Sequence, residues 1–421
     1  MISFMSLRGS GRSNLVVAGQ RSAHPPQIAS ACRKRLLAMT GVALALTLLA
    51  CAPAAAPSGG AESRLASGSS ELPQEWTDAV AKAKEEGKVV VVMGGAASRT
   101  WRPLFEKFRA RFGIDVEASG GGGGESADRV LAERQAGVYS VDVWMTGLTT
   151  TNSRIIPAGG LEPINNTFIL PEVKDDSKWW QGRKWYGDIE QKYIFLFNGS
   201  PTPDIAYNTN LVKNPDEIKS YFDLLDPKWK GKITGIDPTI EGVGAIYAFY
   251  HLNPQVGTDY LRRMFKEQDI TFYRDLRQAA ESLAQGKFSI FMFEGSGRIE
   301  VENLKNQGLP VEFIYRPLKE GNRLAAGGAA TISMMSKAAH PNAAKVFINW
   351  ALSKEGQEAA NEVSDTDASL REDVSMEKIR PEYRREPGAN YLFYDADPKF
   401  QAFLNEVLKL DAQLLQEAGK R

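Results

Sequence analysis

KVVVVMGGAASRTWRPLFEKFRARFGIDVEASGGGGGES, residues 88–126, decides the fold class. Val89-Val90-Val91-Val92-Met93 is a short unbroken apolar run, the pattern of a strand buried on both faces. Trp101, Leu104, Phe105 and Phe108 then recur at i, i+3, i+4 and i+7, the period of a helix. Ile114-Asp115-Val116-Glu117 alternates as a strand does. Upstream, Trp76, Ala79, Val80 and Ala83 share one helical face, and Gly87 stops that helix. Downstream, a helix is expected over 126–136 and a strand over Val141–Met145. Strand and helix in alternation specify a parallel sheet covered on both faces.

The alternation restarts further along. A helix is expected around Tyr221–Leu225, a strand near Lys232–Ile236, a helix over 242–251 and a strand at Ile270–Tyr273. A helix over 274–285 and a strand at Phe288–Phe293 follow. Leu324–Ser333 reads as strand, and helices begin at Pro341. The expectation is two α/β lobes, one from 73–204 plus 334–397 and the other from 205–333. Linking strands are placed near Ile205–Asn208 and Leu324–Ser333, and two crossings make a hinge. Phe400, Phe403, Val407 and Leu410 give 398–421 the spacing of a C-terminal packing helix.

The N-terminal region stands apart. Residues 1–35 hold Arg8, Arg12, Arg21, Arg33, Lys34 and Arg35 and no acidic residue. The apolar run Leu36–Ala50 follows, shorter than the ~20 residues a spanning helix needs. A basic region, a short apolar core and small residues before a break are the layout of an export signal over 1–50. Leu48-Leu49-Ala50-Cys51 resembles the bacterial lipobox, which implies lipidation of Cys51 and a membrane anchor. Residues 51–72 then read as lipidated cysteine and tether, because Ala, Pro, Gly and Ser without apolar period bury no core. The remaining cysteine, Cys32, leaves with the signal, so neither a disulfide nor thiol chemistry is expected. The whole chain has 51 basic and 51 acidic residues; removing the six early cations leaves an acidic remainder, which argues against nucleic acid as a partner.

In open α/β sheets ligands bind beyond the carboxyl ends of the strands. Five such ends carry small, donor-rich residues. Gly95 and Ser98 follow the first strand. Gly121, Gly122, Gly123 and Ser126 follow the second, and Thr146 and Gly147 the third. Glu241, Gly242 and Gly244 open a helix in the second lobe, and Glu294, Ser296 and Arg298 open another. A glycine run allows close backbone approach, and successive N–H groups ahead of a helix make an anion nest. A floppy turn with Ser126 capping the helix is the bland alternative. Arg298 opposes the dipole of its own helix, which favours a clamp on a carboxylate or phosphonate; pairing with Glu294 or Glu302 is the structural alternative. Arg99 poses the same question. Tyr207 and Asn208, at the expected crossing, are candidates for the cleft floor or for plain hinge packing.

Several blocks resemble the extracellular solute-binding proteins of bacterial ABC importers, in the branch holding the periplasmic ferric-iron-binding proteins. They are Phe112-Gly113-Ile114, Tyr139-Ser140-Val141-Asp142-Val143, Ala158-Gly159-Gly160-Leu161 and the run from Ser220 through Asp226-Pro227-Lys228-Trp229 to Lys232. His340-Pro341-Asn342-Ala343-Ala344-Lys345, Asn349-Trp350 and Ser353-Lys354-Glu355-Gly356-Gln357 complete the set, and the resemblance spans roughly 74–365. It implies a two-lobed periplasmic-binding-protein clamshell of type II connectivity, each lobe a mixed, mostly parallel sheet flanked by helices. It also implies a small-molecule ligand, an ABC permease and ATPase as partners, a monomer, and an extracytoplasmic or periplasmic location. The family's iron ligands fall at Ala97, at Gly147 and within Glu294–Gly297, where no imidazole or phenolate exists. A small organic anion or a chelated metal suits these positions better than bare ferric iron; iron held by other ligands is the alternative.

Catalysis is not expected, and neither is a cofactor or a resident metal. The chain has three histidines: His24 in the signal region, His340 at a helix start and His251 at a helix end, where capping explains it. No Ser-His-Asp set, His-x-x-x-His pair or Cys/His cluster can be read from the sequence. A ligand-sensing lobe for a membrane receptor would use the same clamshell.

Overall fold

Fifteen strands run through the described residues of a computed structural model, which comprise 72–94, 97–240, 244–293, 297–326, 330–404 and 406–420. In chain order they are β1 (Lys88–Gly94), β2 (Asp115–Gly121), β3 (Val143–Met145), β4 (Leu161–Glu162), β5 (Trp185–Tyr186), β6 (Phe195–Leu196), β7 (Ser200–Thr202) and β8 (Ile205–Asn208). β9 (Ile233–Ile236), β10 (Thr271–Tyr273), β11 (Ile290–Met292), β12 (Val311–Phe313), β13 (Asn322–Ala325), β14 (Thr331–Met335) and β15 (Tyr391–Leu392) follow. The signal region, Cys51 and most of the tether lie outside the described residues. Ser69–Arg421 forms one compact unit, and no helix among its described residues is long and apolar enough to cross a membrane.

The apolar run of β1 is central in its sheet because it is apolar on both faces. Val89, Val91, Val92 and Met93 are buried, with β2 and β3 pairing parallel on either side. The sheet order is β2-β1-β3-β14-β6-β5, with β4 also on β14; the pairs made by β14 and β5 are antiparallel. Helices Gln74–Glu86 and Arg102–Phe112 end at Gly87 and Gly113, both in the left-handed region that glycine enters without a Cβ clash. Their apolar faces, Trp76, Ala79 and Ala83 on one and Leu104, Phe105, Phe108 and Phe112 on the other, fill the first core. Glu86 accepts the Asn342 and Ala343 N–H groups at 3.2 and 2.7 Å, capping helix Pro341–Leu352 from a neighbouring helix.

A second core surrounds the sheet β10-β9-β11-β8-β12. β10, β9 and β11 are parallel, whereas β8 is antiparallel to both β11 and β12. The segment expected as helix at Tyr221–Leu225 is a 3₁₀ turn with a Ser220–Asp223 capping box.

Three short strands join the lobes: β7 and β13 are antiparallel, and β15 lies parallel to β13. The link is therefore not at Ile205–Asn208, which forms β8 inside the second sheet. The expected strand Leu324–Ser333 divides instead between β13 of the link and β14 of the first sheet. The chain also crosses a third time, since Tyr391 and Phe393 belong to the first core whereas Tyr394, Phe400, Val407 and Leu414 belong to the second. Helices Pro398–Phe403 and Val407–Glu417 thus cover the second lobe. Beside the link, Asp204 accepts from Tyr221 Oη at 2.9 Å, and Asp395 accepts the Ala326 N–H at 2.8 Å. Burial pushes both carboxyls up, and nearby Arg323 counters it.

Candidate functional site

Register brings the expected strand ends together. In the first lobe Gly94 faces Gly121 across β1 and β2, and Met93 faces Met145, so Thr146 lies at the same edge. The glycine run is not one loop. Gly121 ends β2, Gly122 is the N-cap, and Gly123 and Gly124 form the first turn of helix Gly123–Gln135. Ser126 is buried inside that helix, its N–H bonded to the Gly122 carbonyl at 3.0 Å, so it does not cap it. No side chain caps this helix, which leaves the N–H groups of Gly123, Gly124 and Glu125 without an intrahelical acceptor.

Glycine at 123 is favoured by a close approach. A Cβ there would sit 3.0 Å from Thr150 Oγ1. Arg154 donates to the Gly124 carbonyl at 3.1 Å and also pairs with Asp128. That hydrogen bond holds the Asp128 carboxyl below its usual range and raises the guanidinium, so Arg154 is committed to bracing the turn. Ser98 is half-buried in the short helix Ala97–Thr100. Arg99 beside it is exposed and has no ion pair or hydrogen bond to any described residue. Gly147 is exposed at the edge, but Thr146 is not available: its hydroxyl lies 3.3 Å from Thr151 Oγ1 and its carbonyl accepts from Thr331. Thr146 is a core residue.

In the second lobe, Ile236 and Tyr273 are partners and Phe291 faces Thr234, so the residues after β9 and β11 share one edge. Gly95, Glu241, Gly242, Glu294 and Ser296 lie outside the described residues. Gly244 opens helix Gly244–Leu252, and Gly297–Asn306 begins just before Arg298. Phe293 has φ 58°, the left-handed region that a bulky side chain rarely enters. It is buried and stacked on Tyr247 at 4.9 Å. A Cβ on Gly235 would come 3.0 Å from the Met292 carbonyl oxygen and 3.3 Å from the Phe293 ring, so the neighbouring strand leaves little room beside this bend for anything larger than glycine. Backbone strain held by packing is characteristic of functional edges. Asp237 and Thr239 also stand here: Asp237 accepts from the Thr239 N–H and, at 2.9 Å, from Arg274. The sequence reading missed both, although Asp-Pro-Thr after a strand is an Asx-turn signature.

Three expectations are corrected. Arg298 is not a free clamp, because its Nη1 donates to Tyr383 Oη at 2.6 Å and lies 4.0 Å from Glu302. Tyr207 and Asn208 do not floor the cleft: Tyr207 pairs with Ile290 at the amino end of β11, the opposite edge of the sheet. Asn208 is spent on the Leu283 carbonyl at 2.7 Å. A hydroxyl–imidazole–carboxylate row does assemble, with His251 between Thr258 Oγ1 at 2.8 Å and Asp411 Oδ1 at 2.9 Å. The His251 side chain is 1% exposed and both ring nitrogens are engaged, so the row fastens the C-terminal helix and does not face a substrate. Ala97 and Gly147 supply no metal-ligating side chain, and no group of three His, Cys, Asp or Glu able to hold a metal ion occurs among the described residues.

The family model for bacterial extracellular solute-binding proteins matches residues 103–376, well over half of the chain. An uncharacterized protein of Haemophilus influenzae is 23% identical over 293 residues, covering 68% of this chain and 78% of that one. Iron uptake protein A1 of Synechocystis is 29% identical over 131 residues, 31% of this chain and 32% of its own length. Among solved structures, Trichodesmium FutA (IdiA) in complex with iron and citrate superposes with a TM-score of 0.56 at 17% identity, over 78% of this chain and 99% of that one. At that identity the likeness establishes the two-lobed fold. The chain belongs to the bacterial extracellular solute-binding proteins, and its function is to capture a small solute and deliver it to the permease of an ABC importer.

Proposed function

We propose that this protein, anchored through lipid on Cys51 and working as a monomer, closes its two lobes on a small organic anion or a metal chelated by one. On this reading the moving bodies are 73–199 with 331–390 and 205–321, hinged at β7, β13 and β15. The helices from Pro398 travel with the second. The observation that carries the ligand class is the uncapped start of helix Gly123–Gln135 at the first lobe's edge, with Arg99, which pairs with no described residue, in the short helix Ala97–Thr100 that follows the adjacent strand. Free N–H donors at a helix start, the positive end of its dipole and an uncommitted guanidinium all select negative charge. Import is favoured over sensing for a membrane receptor by the family membership. Bare ferric iron, the other alternative, is disfavoured because Ala97 and Gly147, two of the positions where the family's ligands fall, carry no metal-ligating side chain.

Calorimetric titration of refolded, ligand-free protein tests the reading. The panel is di- and tricarboxylates, sugar phosphates, the ferric chelates of the carboxylates, and free ferric ion presented as a weak complex. Saturable binding of an anion or its chelate, weakened by Arg99→Ala, is the expected result. Binding of ferric ion alone, unaffected by Arg99→Ala, would reject it.

A further inference from the structure

The segment after helix Lys354–Ala360 is fixed to the first lobe. Ser369 bridges antiparallel to Asn198, Leu370 lies in the first core, and Arg385 donates to the carbonyls of Gly199 and Ser369 at 2.6 Å each. Helix Gly297–Asn306 belongs to the second lobe, where Val301 enters the core and Gly297 lies against Phe291. Four side chains join these two bodies. Tyr383 Oη accepts from Arg298 at 2.6 Å and donates to Glu302 Oε1 at 3.3 Å, which uses both capacities of one hydroxyl. Arg380 donates to the same Glu302 oxygen at 3.0 Å, and its guanidinium lies 4.7 Å from the Tyr383 ring centroid. Tyr383 is 4% exposed, whereas the charged side chains of Glu302, Arg298 and Arg380 are 21%, 27% and 36% exposed, so the phenol is buried and the charges around it partly face water.

We propose that Tyr383 and Arg380 form a latch between the lobes, gripping Arg298 and Glu302 on the helix that begins at the second lobe's binding edge. The inference rests on the hinge reading above and adds a control to it. The link strands β7, β13 and β15 permit rotation, and these contacts oppose it. Arg298 has two alternatives, the phenol of Tyr383 or an anion arriving at the amino end of its own helix. Tyr383 is then a positioning residue, acting on the solute only through Arg298 and lobe geometry. A partly buried charge-assisted network between rigid bodies suits this role, because breaking it separates bodies that are each held by their own core.

Small-angle scattering of the full chain, refolded and with no solute added, tests the latch without reference to any ligand. Tyr383→Phe removes one oxygen from the seam, and Glu302→Gln removes the charge shared by Arg298 and Arg380. Both variants are expected to show a larger radius of gyration and a longer maximum dimension than the unsubstituted protein, with native circular dichroism. Scattering profiles superimposable on the unsubstituted protein in both variants would overturn the latch while leaving the binding cleft standing. Should Glu302→Gln fail to fold, Tyr383→Phe decides alone.

Discussion

Asp142 and His340, 198 residues apart, are joined twice. Asp142 accepts the His340 N–H at 2.9 Å on one carboxylate oxygen and lies 2.8 Å from its Nδ1 with the other. The second oxygen also takes the Val90 N–H at 2.8 Å, from the central strand. The fully buried carboxylate therefore stitches β1 to the loop before β3 and to the start of helix Pro341–Leu352. Two blocks that resemble the family in sequence meet here, and their shared chemistry is structural.

Asp142→Ala strands those buried donors. A loss of about 3 kcal/mol in unfolding free energy is expected from an uncompensated buried cluster. Urea unfolding followed by tryptophan fluorescence measures it, and solute affinity of the folded fraction is expected to stay within twofold.

Gly356, in the first turn of helix Lys354–Ala360, is glycine for a steric reason. A Cβ at that position would lie 1.9 Å from the Trp350 carbonyl oxygen and 3.0 Å from Ala351 Cα, both backbone atoms that cannot swing aside. Gly356→Ala is expected to cost at least ~2 kcal/mol by overpacking. Glu355→Ala, one residue earlier and exposed, serves as the near-neutral control.

Much of the first lobe is legible in sequence because its signals are local. The apolar run of β1, the faces of the two flanking helices and the glycines at 87 and 113 each act within a few residues. Gly123 and Gly124 are the opposite case. Glycine is a poor helix former, and their helical state depends on Thr150 and Arg154, which sequence spacing does not bring near. β8 reads as a link because a four-residue apolar strand carries no mark of its neighbours. The third crossing hides in a two-residue strand, Tyr391–Leu392. Arg298 was recognisable as an anomaly against its helix dipole, yet its partner Tyr383 lies 85 residues away and no local pattern announces it.

Glu362 makes the acid side of the stability profile testable. Hydrogen bonds from Lys107 and Lys378 draw its carboxyl down from 4.5 to about 2. A depressed carboxyl contributes stability that is present above about 4.5 and is lost as pH falls through about 2. Glu362→Gln is expected to lower stability at neutral pH and to flatten the slope between those limits. Thermal melts across pH 2–6, taken with and without 0.5 M salt, would check it; exposure of the pair predicts that salt shrinks the difference.

Cys51 carries the proposed tether. Cys51→Ser is expected to move the protein from the membrane fraction to the soluble extracytoplasmic fraction, with the affinity for solute unchanged. Fractionation followed by immunoblotting reads the distribution, and a protein equally membrane-bound after substitution would remove the lipid anchor from the account.

Arg99 is the side chain on which the ligand class depends most. Arg99→Ala is expected to weaken binding about tenfold, the worth of one charge-assisted hydrogen bond. Thr146→Val, beside it at the same edge but spent on the core, is expected to change affinity less than threefold while lowering stability.

Native mass spectrometry of protein purified without refolding examines the central claim most directly. A small anionic adduct that leaves unaltered on denaturation, and that is lost from a doubly substituted Arg99→Glu, Gly122→Glu protein of native fold, is the expected result. A cargo that persists undiminished through those two substitutions, or one released in chemically changed form, would contradict capture at this edge.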